Sequence, residues 1–337
     1  MTLYARIKAI EYVLPKNLLD NARLAMEYPD WDVDKILNKT GINERYVVDP
    51  GQTACDLAVL ACEKIFSSSV SKESIDAIIF CTQSPDYSLP ATACILQNRV
   101  GISTNCMAFD INQGCSGYIY GLGIAKGLIE TGQATNALVV TAETYSHYIH
   151  PGDRSVRTLF GDAAAVTWVA GETEGRGLER FRYGTDGSGA HNLIVPMGRA
   201  RSPISDISKI PEISDDKGNM RSAAHLYMNG PAIFEFSMTR VPQIYKSLFD
   251  EEFTEEHLDR VVFHQANSFM LDALRRRLRI PKEKFVSKFS HCGNTVSSSI
   301  PIALKESLED GSVREGTALA LVGFGVGYSW AACVAHI

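Results

Sequence analysis

The chain alternates short, continuous apolar runs with longer segments in which apolar residues return every three or four positions. Leu3 to Tyr12 reads as an opening strand, and Asp20 to Leu37 carries helical spacing among many charges before a turn at Lys39 to Arg45. Thr53 to Phe66 predicts an amphipathic helix with Ala58, Leu60, Ala61 and Ile65 on or near one face. Ile75 to Cys81 is an unbroken apolar run of the kind buried in a parallel sheet. A loop over Pro85 to Pro90 and a short helix from Ala91 to Val100 follow. Cys106 to Phe109 lead into Asp110-Ile-Asn-Gln-Gly-Cys-Ser-Gly117, and a Gly-rich apolar stretch from Tyr118 to Ile129 leads out. This predicts a buried strand, a sharp turn holding Cys115, and a helix. Asn136 to Thr141 is a further buried strand, and Phe160 to Trp168 a tight turn into another. Gly184 to Met220, rich in Gly, Ser, Pro and Asp, reads as surface loop or insertion. Periodicity then returns: a helix over Ala232–Phe249, a strand over Asp259–His264, a helix over Ser268–Leu278, a short strand over Phe285–Phe289, a helix over Ile300–Leu308, and strands over Ala318–Gly323 and Tyr328–Ala335. Strands alternating with helices indicate an α/β fold.

The pattern repeats itself. Ile75-Asp-Ala-Ile-Ile-Phe-Cys-Thr-Gln83 resembles Leu258-Asp-Arg-Val-Val-Phe-His-Gln265. Farther on, Gly114, Cys115, Lys126, Glu130 and Gly132 match Gly293, Asn294, Lys305, Glu309 and Gly311, all at an offset of 179 residues. A duplicated chain would set Cys115 and Asn294 on equivalent turns, with His264 at a strand end beside them. The expected units are an N-terminal half over residues 1–172, a connecting region over 173–225, and a C-terminal half over 226–337.

Composition narrows the class. Apolar content of 45% and charged content of 21% over 337 residues suit a globular enzyme with a substantial core. A net charge of −6 argues against general nucleic-acid binding. No apolar run reaches the roughly 18 residues needed to cross a membrane, and no signal peptide opens the chain, so a cytoplasmic location is expected. Eight single cysteines without a C-x-x-C pair read as reduced thiols, with neither a disulfide framework nor a zinc site expected.

Cys115 stands out among them, because a thiol at a helix N-terminus faces free backbone N–H groups and the positive end of the dipole. That placement is expected to lower its pKa from about 8.5 toward 7 or below and to make it a nucleophile. A cysteine with a histidine and an asparagine first suggests a papain-like protease, the His following the Cys by 149 positions. Cys115 nevertheless lacks the sequence context of such enzymes and follows a buried strand in a duplicated chain.

His264-Gln-Ala-Asn267, Gly293-Asn-Thr-Val-Ser-Ser-Ser-Ile-Pro301, Gly323-Phe-Gly-Val-Gly-Tyr-Ser-Trp330, Thr40-Gly-Ile-Asn-Glu-Arg45 and Phe160-Gly-Asp-Ala163 together resemble the thiolase superfamily, specifically β-ketoacyl-acyl-carrier-protein synthase III. The resemblance runs nearly end to end. It implies a thiolase-like α/β fold of two duplicated βαβαβαββ halves in a layered αβαβα arrangement. It also implies acyl transfer to Cys115, then a decarboxylative Claisen condensation with a malonyl thioester, malonyl carrier protein. Cys115 would be the nucleophile, and His264 and Asn294 donors to the thioester oxygen. The backbone N–H groups of Cys115 and Val326 would form the oxyanion hole. Coenzyme A thioesters and acyl-carrier phosphopantetheine would serve as substrates, with no metal or redox cofactor. Arg154, Lys39, Leu89 and Ala266 fall at substrate and coenzyme A positions, and Arg276 and Arg277 at the docking helix for acyl carrier protein. A homodimer is implied, with the 85–90 loop reaching toward the neighbour's pocket.

The sequence departs from the family at several of these places. Lys35 and Lys39 stand where an adenine-stacking Trp and its Arg partner are usual, and Phe269 and Pro231 replace a basic residue and an Asn. The departures point away from free acetyl-coenzyme A as primer, and Leu89 in place of Phe hints at a longer or branched acyl group. An acyltransferase of the same fold, passing the Cys115 acyl group to an O, N or S nucleophile, is the alternative. A hydroxymethylglutaryl-type condensation needs a glutamate base where this chain has Gln83, and an amide cannot act as one. A catalytically silent partner subunit is disfavoured by the presence of Cys115.

Overall fold

The computed structural model describes residues 3–337, so the first two residues of the N-terminal half lie outside it. Nine strands build two sheets: β1 (Tyr4–Val13), β2 (Ala77–Cys81), β3 (Met107–Ile111), β4 (Asn136–Glu143), β5 (Ala163–Glu172), β6 (Leu178–Thr185), β7 (Arg260–Phe263), β8 (Ala318–Gly325) and β9 (Ser329–His336). Six helices pack on them: α1 (Ala54–Ser68), α2 (Thr92–Val100), α3 (Gly117–Glu130), α4 (Gly230–Lys246), α5 (Ser268–Leu278) and α6 (Ser299–Glu309).

The first sheet runs β1-β5-β4-β2-β3 and the second β6-β9-β8-β7. In each, the outer two ladders are antiparallel and the next is parallel. The duplication expected from the 179-residue offset is therefore present in the topology, and α3 and α6 end at Glu130 and Glu309 with that same spacing. The short strand expected at Phe285–Phe289 is reduced to one parallel bridge, Val261 to Phe285, where the fifth strand of the first sheet has its counterpart.

Strand periodicity fixes the layers. In β2, Ala77 and Ile79 face a core shared with α3 and α6, while Ile78 and Phe80 face α1 and α2. In the second sheet Val262, Leu319 and Leu321 face the same central helices, while Val261, Phe263, Ala320 and Val322 face α4 and α5. The result is five layers, helix–sheet–helix–sheet–helix, with α3 and α6 sandwiched in the middle. An all-round apolar helix such as α3 is stable only in such a place. The first turn of each middle helix points to one end of the molecule, which is where the site lies.

Three expectations are corrected. The single helix read over Asp20–Leu37 is two, Asn21–Glu27 and Val33–Thr40, each capped by an aspartate accepting a backbone N–H (Asp20 and Asp32). Residues 178–185, read as part of the connecting region, are β6, the outer strand of the second sheet. The irregular stretch after it is organised by two small ribbons, Leu193–Ile194 with Tyr227–Met228 and Ile213–Ser214 with Met220–Arg221.

Candidate active site

Cys115 sits in the turn between β3 and α3 and is 6% exposed. The end of β8 passes directly against it. A Cβ on Gly323 would lie 2.7 Å from the Ser116 Cα, and one on Gly325 would lie 3.0 Å from both Cβ and Sγ of Cys115. Only glycine lets the two halves approach this closely. A hydroxyl pair, Ser116 Oγ to Ser329 Oγ at 2.6 Å, then ties the two loops, and Ser329 also donates to the Val326 carbonyl at 3.0 Å. Among the described residues the N–H groups of Cys115 and Val326 donate to no carbonyl and to no other residue's side chain. Two unclaimed donors thus sit on the turns that hold the thiol.

The thiol itself is not the lowered-pKa group expected from its helix position. Burial pushes its pKa up, the nearby Glu143 carboxyl adds to this, and only its own N–H opposes them. Desolvation outweighs the helix terminus because no cation stands beside the sulfur to compensate. The resting Cys115 side chain is a thiol.

His264 follows β7, is 2% exposed, and packs edge-on against Phe324 of β8. Burial lowers its pKa to about 3, so the ring is neutral. Its Nδ1 lies 2.7 Å from Ser299 Oγ, which also accepts the Gln265 N–H. With Ser299 donating its hydroxyl proton to Nδ1, the tautomer that results carries its proton on Nε2. Asn294 occupies the loop before α6, and its Oδ1 accepts the Val296 N–H at 2.9 Å. That bond leaves the amide NH₂ as the free end, a donor. Backbone bonds to Leu159 and Gly161 join the Asn294 loop to the segment before β5. Val296, a β-branched residue at φ 54, is held there in a conformation such residues rarely adopt. Val296 and Phe160 share an apolar cluster with Cys115. All three sequence candidates therefore gather around the C-terminal end of β8.

One residue escaped the sequence reading. Glu143 ends β4, is 0% exposed, and accepts from the Gln83 N–H (3.0 Å), the Ser84 hydroxyl (3.1 Å) and the Ser297 hydroxyl (2.9 Å). Burial raises its pKa to about 8 even though three donors favour the charged form. The available signal was an acid closing an otherwise apolar strand. Apolar residues in and just after the irregular stretch were also missed: Leu193, Val195, Leu226 and Met228 join the Cys115 cluster.

The peripheral candidates are less concentrated. Ala266 is buried next to His264, its N–H bonded to the His264 carbonyl at 3.0 Å. Arg154 opens a short helix over Arg154–Arg157 and is half-buried. Lys39 is exposed on the Val33–Thr40 helix, which packs against the start of α5, and Leu89 is 83% exposed. Among the described residues no hydrogen bond or ion pair joins Arg154, Lys39 or Leu89 to the central three. On α5 the basic stretch is partly neutralised, because Asp272 pairs with both Arg275 and Arg276 at 2.9 and 2.6 Å. Arg277 is exposed and has no ion pair among the described residues. No helix among the described residues is long and apolar enough to cross a membrane.

Comparison with known proteins extends the picture to the whole chain. The family model described as 3-oxoacyl-[acyl-carrier-protein (ACP)] synthase III matches residues 109–187, and the model for the C-terminal part of the same enzymes matches residues 248–337. A β-ketoacyl-[acyl-carrier-protein] synthase III of Clostridium perfringens is 38% identical over 323 residues, 95% of each chain. A crystal structure of a 3-oxoacyl-(acyl-carrier-protein) synthase III superposes with a TM-score of 0.97 at 50% identity, covering 99% of this chain and 100% of that one. A 3-oxoacyl-(acyl-carrier protein) synthase from Burkholderia xenovorans LB400 superposes with a TM-score of 0.90 at 36% identity, covering 100% and 95%.

Proposed function

The chain belongs to the 3-oxoacyl-acyl-carrier-protein synthase III family of condensing acyltransferases, and we propose that Cys115, His264 and Asn294 carry its reaction on acyl and malonyl thioesters. Cys115 Sγ attacks the acyl carbonyl, the thioester C–S bond breaks, and the thiol proton leaves with the departing coenzyme A or carrier thiolate. The carbonyl oxygen, negative in the tetrahedral intermediate, takes the N–H groups of Cys115 and Val326. Malonyl carrier protein then loses CO₂. The electron pair of the broken C–C bond becomes an enolate whose oxygen is held by His264 Nε2–H and the Asn294 amide. The enolate carbon attacks the acyl-cysteine, a C–C bond forms, and the Sγ–acyl bond breaks to return the thiolate, which is reprotonated. The β-ketoacyl thioester leaves on the carrier.

What supports this reading most is the state of the two side chains: a neutral imidazole whose Nε2 carries the proton when Ser299 donates to Nδ1, and an amide whose oxygen is occupied by Val296. Such a pair stabilises a developing oxyanion, and each donor of this kind is worth about 10²–10³ in rate. An ionised aspartate in place of Asn294 would offer the oxyanion only acceptors.

Acyl carrier protein docks on the α5 face through Arg277, with Arg276 shared between the partner and Asp272. Two copies of the chain associate through β3, the open edge of the first sheet, with Tyr87, Leu89 and Met107 exposed near it. An exposed strand edge flanked by apolar side chains favours pairing with another strand.

The test is intact-protein mass after incubation with acyl-coenzyme A and acyl-carrier donors, followed by malonyl carrier protein. An acyl adduct that is lost in Cys115→Ser and discharged by malonyl carrier protein with CO₂ release supports the reading. An adduct discharged only by small amines, alcohols or thiols would replace it with simple acyl transfer. An adduct retained in Cys115→Ser would overturn the nucleophile.

A further inference from the structure

Much of the wall around Cys115 is apolar. Tyr145, Val156, Phe160, Leu193, Leu226 and Val296 line the cluster that holds the thiol. Into it projects the side chain of Gln83, which follows β2. The end of this side chain and the Val326 methyl reach the same point: a Cβ on Gly114, the residue before the nucleophile, would lie 2.6 Å from Gln83 Oε1 and 2.5 Å from Val326 Cγ1. The amide therefore abuts the turn that carries the thiol.

Almost every polar atom of Gln83 is engaged. Its N–H donates to Glu143 at 3.0 Å, its carbonyl accepts the Tyr148 hydroxyl at 3.1 Å, and its Oε1 accepts the Tyr145 hydroxyl at 2.5 Å. Tyr145 is itself fixed, 4% exposed, with its ring 5.3 Å from that of Phe160. Burial raises the Tyr145 pKa, so the hydroxyl stays a donor. These bonds hold the amide in one orientation and leave Nε2 without a hydrogen bond among the described residues, on a half-buried side chain that water still reaches. An amide N–H held rigidly against apolar walls loses its water when a substrate fills the space, and an unmatched donor is then unfavourable. An acyl chain of plain hydrocarbon offers it nothing. An acyl chain with an oxygen at that depth restores the bond.

Resting on the acyl-transfer reading above, we propose that the acyl group loaded on Cys115 is short and oxygenated, carrying a hydroxyl, carbonyl or carboxylate oxygen that accepts from Gln83 Nε2. Gln83 selects the substrate, and Tyr145 is the positioning residue that aims it. The Tyr145 and Phe160 rings stand 5.3 Å apart beside the amide, which on this proposal favours a short acyl group over the longer or branched one expected from Leu89.

The experiment is the rate of acyl-adduct formation on Cys115, read by intact mass, with matched four-carbon donors: butyryl-, 3-hydroxybutyryl-, acetoacetyl- and succinyl-coenzyme A, plus octanoyl-coenzyme A for length. One good hydrogen bond corresponds to about a tenfold preference. The expected result is that at least one oxygenated donor loads about tenfold faster than butyryl, and that this ratio falls to near one in Gln83→Leu. The three oxygenated arms distinguish a neutral acceptor from a carboxylate. Tyr145→Phe, which keeps the ring packing, is expected to lower the same ratio, so the proposal does not hang on one variant's folding. Fastest loading by butyryl or octanoyl, or a ratio unchanged in both variants, would overturn the proposal while leaving the nucleophile intact. Adducts that persist in Cys115→Ser would overturn the functional reading beneath it.

Discussion

Replacing Glu143 by Gln removes the one fully buried carboxyl that links the turn after β2 to the loop before α6. Its Oε2 accepts from Gln83 and Ser84 and its Oε1 from Ser297. In the variant the retained oxygen keeps two of these donors, and the Ser297 hydroxyl can turn to accept from the new amide, so packing and hydrogen bonding survive. What changes is titration. The folded carboxyl has a pKa raised by burial to about 8, against an ordinary value of 4.5. Between those values the folded chain keeps a proton that the unfolded chain releases, so stability falls as pH rises through the window. The loss is about 1.4 kcal/mol per pH unit and reaches roughly 5 kcal/mol above pH 8. The amide of the Glu143→Gln variant does not titrate and escapes it. Melting temperatures of the two proteins, measured from pH 5 to pH 9, are expected to be close at pH 5 and to separate in the variant's favour by several degrees at pH 9. Groups far from position 143 titrate alike in both proteins and cancel in the difference. A second readout follows from the same carboxyl, which helps to push the Cys115 pKa up. Alkylation of Cys115 by iodoacetamide is expected to begin at lower pH in the variant. A melting difference that is flat across the range, or that grows in favour of Glu143 toward alkaline pH, would refute the assignment of a buried, largely neutral acid.

Asn294→Asp replaces the donor with an acceptor-only group, so decarboxylation of malonyl carrier protein should fall by about 10²–10³ while acyl loading of Cys115 persists, measured by CO₂ release and intact mass. Ser299→Ala removes the hydroxyl that holds the His264 tautomer; condensation should fall more than loading, and a Ser299→Thr variant should restore it. Gly323→Ala puts a methyl 2.7 Å from the Ser116 Cα and 2.8 Å from the Cys115 carbonyl, backbone that cannot yield. It should cost about 1–3 kcal/mol of stability and slow Cys115 alkylation, checked by denaturant melts and thiol labelling. Arg277→Glu should raise KM for malonyl carrier protein several-fold while leaving acyl-coenzyme A loading unchanged, because this residue lies on the exposed face of α5, away from the thiol.

The layered α/β architecture was legible from periodicity, because strands buried on both faces must read as unbroken apolar runs and the helices between them as alternating ones. The 179-residue offset made the duplication legible as well, since two halves that meet face to face need equivalent turns at equivalent places. Cys115, His264 and Asn294 could be picked out because each lies in a short motif set by local backbone demands. Other features needed the fold. The break in the 20–40 region depends on two aspartate caps competing with helical spacing, and the periodicity alone favours one long helix. The pairing of β6 with β9 brings together segments from opposite ends of the second half and the connecting region, which no local pattern encodes. The thiol's raised pKa reflects how completely the second half covers the first, with Gly323 and Gly325 letting β8 press against the turn. Sequence shows the helix end that would lower that pKa, but burial, which decides it, is a property of the whole molecule. Glu143 and Gln83 carry no local signature of their role either. Their surroundings are assembled from β2, β4, the loop before α6 and the aromatic pair at Tyr145 and Tyr148. Desolvation and hydrogen-bond satisfaction are set by that three-dimensional neighbourhood, so only the tertiary structure could show which acid stays neutral and which amide is left with a bond to give.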